Sequence, residues 1–312
     1  SKNEKYIFYE SKIKKAKNIN AYLLDYRNIF IKKSSHQISE LPKMYFGNMP
    51  VDNGNLILSE NEKNDLINAN SNAEKFIRPF IGAAEFIYNR KRYCLWIRDK
   101  NLDEANEIQE ISKRLEKVKK FRLNSKNKGT VDMADKPYQF RGMREAKNNS
   151  LIIPSATSEK RDYIPIGFYD KKTIISNLGN VIYDPPIYIF PIISSKIHMI
   201  WVFAISGYLR MGVRYSIGIS YNTFPFPKLE KNDQKTLEEL ALKLIDVREA
   251  FLEKSIADLY DKNNMPKKLK LVHNEIDEAV DNVYKKNMKE FKDDKLNMLF
   301  NLYKKISHNE LF

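Results

Sequence analysis

After Pro227 the apolar residues recur every three or four positions and keep that spacing nearly to the end of the chain. Leu237, Leu240, Ala241, Leu244, Ile245 and Val247 predict an amphipathic helix, with Asp233 as a cap, that runs to about Tyr260. "NNMP" breaks it, and Pro266 suits the first turn of a second helix carried by Leu269, Val272, Ile276, Ala279, Val280 and Val283. Leu296, Leu299, Phe300 and Tyr303 predict a short last helix. Before Pro227 the pattern differs. "KYIFYE" and "RNIFIKK" alternate or cluster β-formers, so residues 1 to about 40 read as strands. Gly47, Pro50 and Gly54 mark turns, and Ser59 with Glu62 forms a capping box for a following helix. "AEFIYNRKRYCLWI" reads as a hairpin about Asn89-Arg90-Lys91 with Trp96 in the core. Ile108, Ile111, Leu115, Val118 and Leu123 share one helical stripe. From 150 to 227, short β-rich runs are punctuated by proline, with one helix around Ser194 to Tyr208. The expected class is α+β: a mixed, proline-punctuated, β-rich body with inserted helices, then a small all-α domain, with a boundary near residue 230.

Charge adds a partner class. The 312 residues carry 54 Lys+Arg against 40 Asp+Glu, a net charge of +14. Such an excess fits a polyanion, because each neutralised phosphate releases counterions; a solvated basic surface is the alternative. Cys94 is the only cysteine, which excludes an internal disulfide and fits a reducing, cytoplasmic setting. One Cys and four scattered His give no zinc-ligand spacing, so no metal is expected. The apolar run from Ile187 to Ile205 is interrupted by Pro191, Lys196 and His198 and reads as core, not as a membrane span. The chain starts at Ser1 without an apolar signal region, and reads as an excised, soluble piece of a longer chain.

Catalytic motifs fail on context. "YDPPI" (Tyr183 to Ile187) resembles the Asp-Pro-Pro-aromatic loop of amino-methyltransferases, but Ile187 cannot stack on a flipped base. The ten glycines form no GxG turn for a nucleotide cofactor. Glu10-Ser11-Lys12 and Glu290-Phe291-Lys292 lack an accompanying Pro-Asp, so neither reads as a nuclease centre. No catalytic residue is assigned. Asn222, Phe224 and Phe226 of "NTFPFP", with Tyr215 and Tyr221, suit hinge packing better than base stacking.

Six blocks in order carry a resemblance: "PKMYFGNMPVDNGNLILS", "FIRPFIGAAEFI", "RYCLWI", "RDYIPIGF", "SSKIHMIWV" and "RYSIGISYNTFPFP". Together they resemble the target recognition domain of MmeI-like, type IIL restriction-modification enzymes, and "ADLYDKNNMPKKLKLVHNEIDEAVDNVY" resembles the helical C-terminal domain of that family. The resemblance implies a connector from a methyltransferase module at 1–40, a DNA recognition domain at 41–230 and the helical domain at 231–312. It implies double-stranded DNA and a methyltransferase module of the same polypeptide as partners. No cofactor is expected in these residues, while S-adenosylmethionine, and Mg for cleavage, would serve the full-length, adenine-specific enzyme near the nucleoid. The family's readout positions fall in two regions. One is the loop Arg210-Met211-Gly212, where Arg210 suits guanine and Gly212 brings no side chain. The other holds Ser158, Glu159, Lys160 and Arg161, with Asn177 and Asn180; Arg161 has a structural alternative. Arg114, Lys117, Lys119, Lys120, Arg122, Lys126 and Lys128, with Arg141 and Arg144, are candidates for phosphate contacts or for a solvated helix face. Other readings are a specificity subunit acting in trans, an RNA- or DNA-binding protein without base specificity, and an enzyme with degenerate motifs.

Overall fold

The computed structural model describes residues 4–9, 12–23, 25–26, 28–158, 160–209, 212–288 and 294–307. The hairpin β1 (Lys5–Tyr9) and β2 (Lys12–Ala16) opens the chain. The expected strand in "RNIFIKK" is absent among its described residues 28–33. Its alternation is real, since Ile29 and Ile31 pack on the core while Phe30 is exposed. The segment lacks a ladder partner, and the Ile31 N–H donates to the Tyr22 hydroxyl instead.

β3 (Tyr45–Phe46) leads through a close approach at Gly47, where a Cβ would sit 2.2 Å from the Ser176 carbonyl oxygen. Gly54 turns the chain at φ +80° before β4 (Ile57–Leu58) and α1 (Glu60–Ala69). The Ser59–Glu62 capping box forms as expected. The Ser59 backbone N–H and then Arg114 hold the Glu62 carboxyl down to about 2. A depressed folded value means this contribution is present above the ordinary value of 4.5 and is lost as pH falls from there towards 2. Ser59→Ala should cost about 1 kcal/mol at neutral pH. The acid limb of a thermal-stability profile should largely persist, because the variant keeps the backbone N–H and the Arg114 pair that hold Glu62, and a stability unchanged at neutral pH contradicts the capping role.

β5 (Ile77–Ile81) is followed by α2 (Ala83–Tyr88), not by the first arm of a hairpin. The Glu85 carboxylate accepts the Gly82 N–H at 2.8 Å, and Asn89 closes the turn in a left-handed conformation, φ 51°. β6 (Tyr93–Leu95) then pairs with both β5 and β4, and β10 (Ile174–Ile175) completes the order β10-β5-β6-β4. Trp96 is buried beside this sheet, as expected. α3 (Leu102–Asn106), α4 (Gln109–Leu123) and α5 (Lys128–Val131) follow β6. Ile111, Leu115 and Val118 of α4 face the same core.

A second four-stranded sheet, β3-β11-β7-β9, is antiparallel throughout and built from β7 (Asn149–Pro154), β9 (Gly167–Asp170) and β11 (Gly179–Tyr183). β8 (Ala156–Ser158), β12 (Tyr208–Leu209) and β13 (Gly212–Arg214) form a third sheet, ordered β12-β13-β8. Between them the expected single helix is two: α6 (Ile189–Ser194) and α7 (Lys196–Ile205). Ser195 leaves the helical region and its hydroxyl caps α7 at the His198 N–H. Tyr215, Tyr221, Phe224 and Phe226 are buried, which bears out packing for "NTFPFP".

The tail comprises α8 (Lys231–Glu249), α9 (Ile256–Leu259), α10 (Lys267–Asn287) and α11 (Lys295–Ser307). α8 stops eleven residues earlier than the pattern suggested, because a new capping box, Ser255 with Asp258, starts α9. Asp233 lies inside the first turn of α8 and pairs with Lys286 of α10; Glu230 holds the cap position. The change of pattern near residue 230 is a change of secondary structure, not a gap in the interior. Leu237, Leu244, Ile276, Val280 and Phe300 share one core with Ile164, Ile166, Phe190, Trp201 and Phe224. No helix is long and apolar enough to cross a membrane among the described residues.

Candidate nucleic-acid interface

The three-stranded sheet joins the two regions singled out for base readout. β13 pairs antiparallel with β8 in the register Gly212↔Ser158, Val213↔Thr157 and Arg214↔Ala156. Because side chains alternate, Thr157 and Val213 point inward and are buried, while Ala156 and Arg214 are exposed and Ser158 and Gly212 are half-exposed. The base of the sheet is fixed on both sides: Tyr215 N–H donates to Ser155 O at 3.0 Å, and Arg214 N–H to Gly207 O at 2.8 Å. Beneath it the Tyr215 hydroxyl meets His198 Nε2 at 3.0 Å in a fully buried pair.

After β8 the chain turns. Ser158 Oγ accepts the Lys160 N–H at 3.2 Å, and Ser158 O accepts the Arg161 N–H at 3.2 Å. Lys160 is exposed. Arg161 is half-buried, and burial lowers the pKa of its guanidinium from the ordinary value while Tyr88 and Asp261 face it. Glu159, Arg210 and Met211 lie outside the described residues. Asn177 is half-buried in the turn after β10, with its N–H on Asn48 O. That turn reaches the sheet because the Ser155 hydroxyl donates to Leu178 O at 2.9 Å. Asn180 requires correction: it is fully buried in β11, between neighbouring strands, and no base edge can reach it. Arg214 was missed, although it stands on the same face as Ser158. The signal was present in its buried neighbours Val213 and Tyr215, whose alternation sends 212 and 214 outward.

The basic candidates divide. Lys117, Lys119 and Lys120 are exposed on α4, Lys126 in the loop after it and Lys128 at the start of α5. Arg141 is exposed too and donates to Gly129 O at 3.1 Å, which sets it beside Lys128. Arg144 is exposed, its guanidinium 5.1 Å from the centre of the Tyr45 ring. Arg114 is half-buried and engaged by Glu62 at 2.8 Å and Asn55 O at 3.2 Å. Arg122 is a second correction: it has no exposed surface and gives five hydrogen bonds, at 2.8 to 2.9 Å, to the carbonyls of Pro50, Val51, Met133, Lys136 and Gln139. It organises the fold and cannot reach a phosphate. A cleft the pattern did not reveal is lined by Arg78, Trp96, Arg98 and Lys100; Arg98 pairs with Glu145, and Arg78 has no ion pair among the described residues.

Groups that could do chemistry are occupied structurally. Asp184 of "YDPPI" sits at φ 49° and accepts the N–H groups of Lys147, Asn148 and Asn149 at 2.7 to 3.3 Å. Burial works against its charge, yet those donors outweigh it and leave the carboxyl pKa below the ordinary value. His198 and His273 are buried, which pushes each imidazole down to about 3 and keeps it neutral. Among the described residues no three His, Cys, Asp or Glu side chains converge as metal ligands.

A family model for the MmeI target recognition domain matches residues 25–228, and one for the MmeI C-terminal domain matches residues 229–311. The chain is 38% identical over 307 residues to DNA methyltransferase A of Bacillus subtilis (strain 168), which covers 98% of this chain and 35% of that protein. A solved structure of the type IIL restriction-modification enzyme MmeI in complex with DNA superposes with a TM-score of 0.90 at 36% identity, over 98% of this chain and 42% of that one. The chain thus spans well under half the length of these relatives. With both family models matching in sequence order across nearly all its residues, the chain belongs to the MmeI family and carries its target recognition domain followed by its C-terminal domain.

Proposed function

We propose that this chain reads a specific sequence in double-stranded DNA on behalf of an adenine-methylating restriction-modification enzyme. The observation that carries this reading is the β8–β13 pairing, which brings Ser158, Lys160, Gly212 and Arg214 to one exposed edge on a rigid, buried base. Arg and Lys there can donate to guanine O6 and N7 in the major groove, and Ser can serve either base type. Asn177, held close by the Ser155–Leu178 hydrogen bond, can pair with adenine. Lys117, Lys119, Lys120, Lys126, Lys128, Arg141 and Arg144 supply sequence-independent contacts to phosphates. Arg78 and Lys100 in the second cleft can extend that track. The similarity to a DNA methyltransferase and to an enzyme solved with DNA supports the same role.

Methyl transfer from S-adenosylmethionine and Mg-dependent cleavage belong to other modules of the whole enzyme, acting in the cytoplasm. The residues described here fit neither group, since no glycine-rich turn follows a strand and the Asp184 carboxylate is bound to backbone. This chain would hold the duplex in register while a methyltransferase module of the same polypeptide extrudes an adenine.

Selection of bound duplexes from a randomised pool, first at low and then at near-physiological salt, tests the reading. Enrichment of a motif of about five to seven base pairs that survives the salt step is expected, because base contacts persist when counterion release is weakened. Retention without any motif, lost steeply with salt, would overturn it.

A further inference from the structure

The segment that leaves the readout turn is held by the helical tail through Asp162, Tyr163 and Ile166. Asp162, Tyr163 and Ile166 lie two, three and six residues after Lys160. The Tyr163 hydroxyl donates to Asp277 Oδ2 of α10 at 2.8 Å, and its ring stacks on His273 of the same helix at 4.1 Å and 22°. His273 is held in turn by the Tyr260 hydroxyl at 3.1 Å. Arg248 of α8 donates to the Ile166 carbonyl at 2.6 Å, and Lys262 lies 3.8 Å from the Asp162 carboxylate. Tyr163, Ile164 and Ile166 are buried in the core shared with α8 and α10. At the tip Lys160 is exposed and Ser158 half-exposed, so both are open to a ligand.

We propose that the tail sets the position of the readout turn through Tyr163 and Asp277, so that these two side chains tune base selection without touching DNA. The proposal rests on the reading of Ser158 and Lys160 as readout residues. Physically, a base contact discriminates only if its donor stands within a few tenths of an ångström of the right place. A three-residue tip, 158–160, cannot supply that rigidity itself. The tip's anchor begins two residues after Lys160, and these side-chain polar contacts to Asp162, Tyr163 and Ile166 come from α8, α10 and the loop between them, while β9 carries the chain on into its pairing with β7. Asp277 also caps α7 through the Lys196 N–H at 2.7 Å, which ties the turn to the helix lying under β13. The tail therefore adjusts both halves of the readout edge together, the turn through Tyr163 and the β13 side through α7.

The test compares the chain with its Tyr163→Phe, Asp277→Ala and Asp277→Asn variants, and with Ser158→Ala and Lys160→Ala as readout controls. Each is measured on the duplex enriched from the random pool, on that duplex with single base-pair changes, and on an unrelated duplex. Tyr163→Phe and Asp277→Ala should lose discrimination about fivefold at the positions the readout controls affect, the low end of what one mismatched pair costs. Binding to the unrelated duplex should stay within about twofold, since phosphate contacts are untouched. Asp277→Asn keeps one oxygen for the Lys196 N–H and turns its amide N–H to the Tyr163 hydroxyl oxygen, which can accept it, and should restore most of the discrimination. If Asp277→Ala does not fold, Tyr163→Phe alone decides. Equal loss on every duplex, or a lowered melting temperature with discrimination unchanged, overturns the proposal and leaves Tyr163 a packing residue. Controls that leave discrimination intact defeat the readout reading itself. Controls that reduce it while Tyr163→Phe does not defeat only the role of the tail.

Discussion

Arg122→Ala is expected to lower the midpoint of thermal unfolding by about 6 °C, while the same change at Lys119 or Lys120 leaves it in place. Arg122 lies within a basic run, yet it is the one member whose side chain is wholly enclosed. Burial lowers its pKa only to about 10, so it stays charged at neutral pH, and a buried charge must be fully solvated by the protein. Five carbonyls do that, drawn from the 50–51 turn and from the 133–139 loop. Removing the side chain strands those oxygens and unlinks two loops that are otherwise held separately, the first by Asp52 on the Leu56 N–H and the second by Asp99 and the buried Tyr138. Five lost bonds at about 1 kcal/mol each set an upper figure, and water entering the hole reduces it to about 4 kcal/mol. Arg122→Lys should recover less than half, because one ammonium has three donors and cannot span five acceptors in a plane. Differential scanning calorimetry of the three proteins decides the matter. A shift under about 3 °C for Arg122→Ala would show that the loops hold without the guanidinium.

The distinction between Arg122 and its lysine neighbours shows what the sequence could convey. Ile111, Leu115 and Val118 are spaced so that the next inward position on α4 is 122, and the helical period alone places Arg122 on the buried side. Reading the run by charge hid that. Long periodic segments were legible for the same reason: α4, α8 and α10 each repeat their apolar stripe over several turns, and the Ser59–Glu62 box marks a helix start through a local hydrogen bond. Short segments were not. α2 spans six residues, fewer than two turns, so "AEFIY" suits a strand as well as a helix, and only Glu85 folding back on Gly82 decides. Ser195 splits α6 from α7 by a single backbone rotation within an apolar stretch that has no period to interrupt.

The candidate site depended on a different kind of information. Ser158 and Gly212 were each visible as polar or turn residues near family blocks, but their pairing joins strands more than fifty residues apart, and no local pattern encodes it. The burial of Asn180 is likewise a property of the sheet: β11 is flanked by β3 and β7, and an asparagine there looks from the sequence like any exposed polar residue. The single core across residue 230 was also out of reach, since a change of period marks a change of element and says nothing about what the new element packs on.

Arg214→Ala is expected to relax base selection at one position of the recognised sequence by about 1–3 kcal/mol, roughly 5- to 150-fold, with little loss of binding to unrelated DNA. Three features favour this residue. It is exposed on the central strand of its sheet, and Val213 and Tyr215 on either side are buried, so its backbone is fixed on a rigid base. Its cross-strand neighbour on β8 is Ala156 and the next outward residue on its own strand is Gly212, both small, which leaves the guanidinium room on that side. Among the described residues it has no ion pair to break before meeting a ligand, and its fork of donors matches guanine O6 and N7. The lysines of α4 should behave in the opposite way. Lys117→Ala or Lys120→Ala should weaken all duplexes alike and reduce the slope of log affinity against log salt by about 0.9 each, because each phosphate contact releases its own counterions. Measuring both quantities on the same proteins separates positioning from reading. If Arg214→Ala weakens every duplex equally, Arg214 is one more phosphate contact, and the exposed face of the β8–β13 sheet lies along the backbone instead of in the groove.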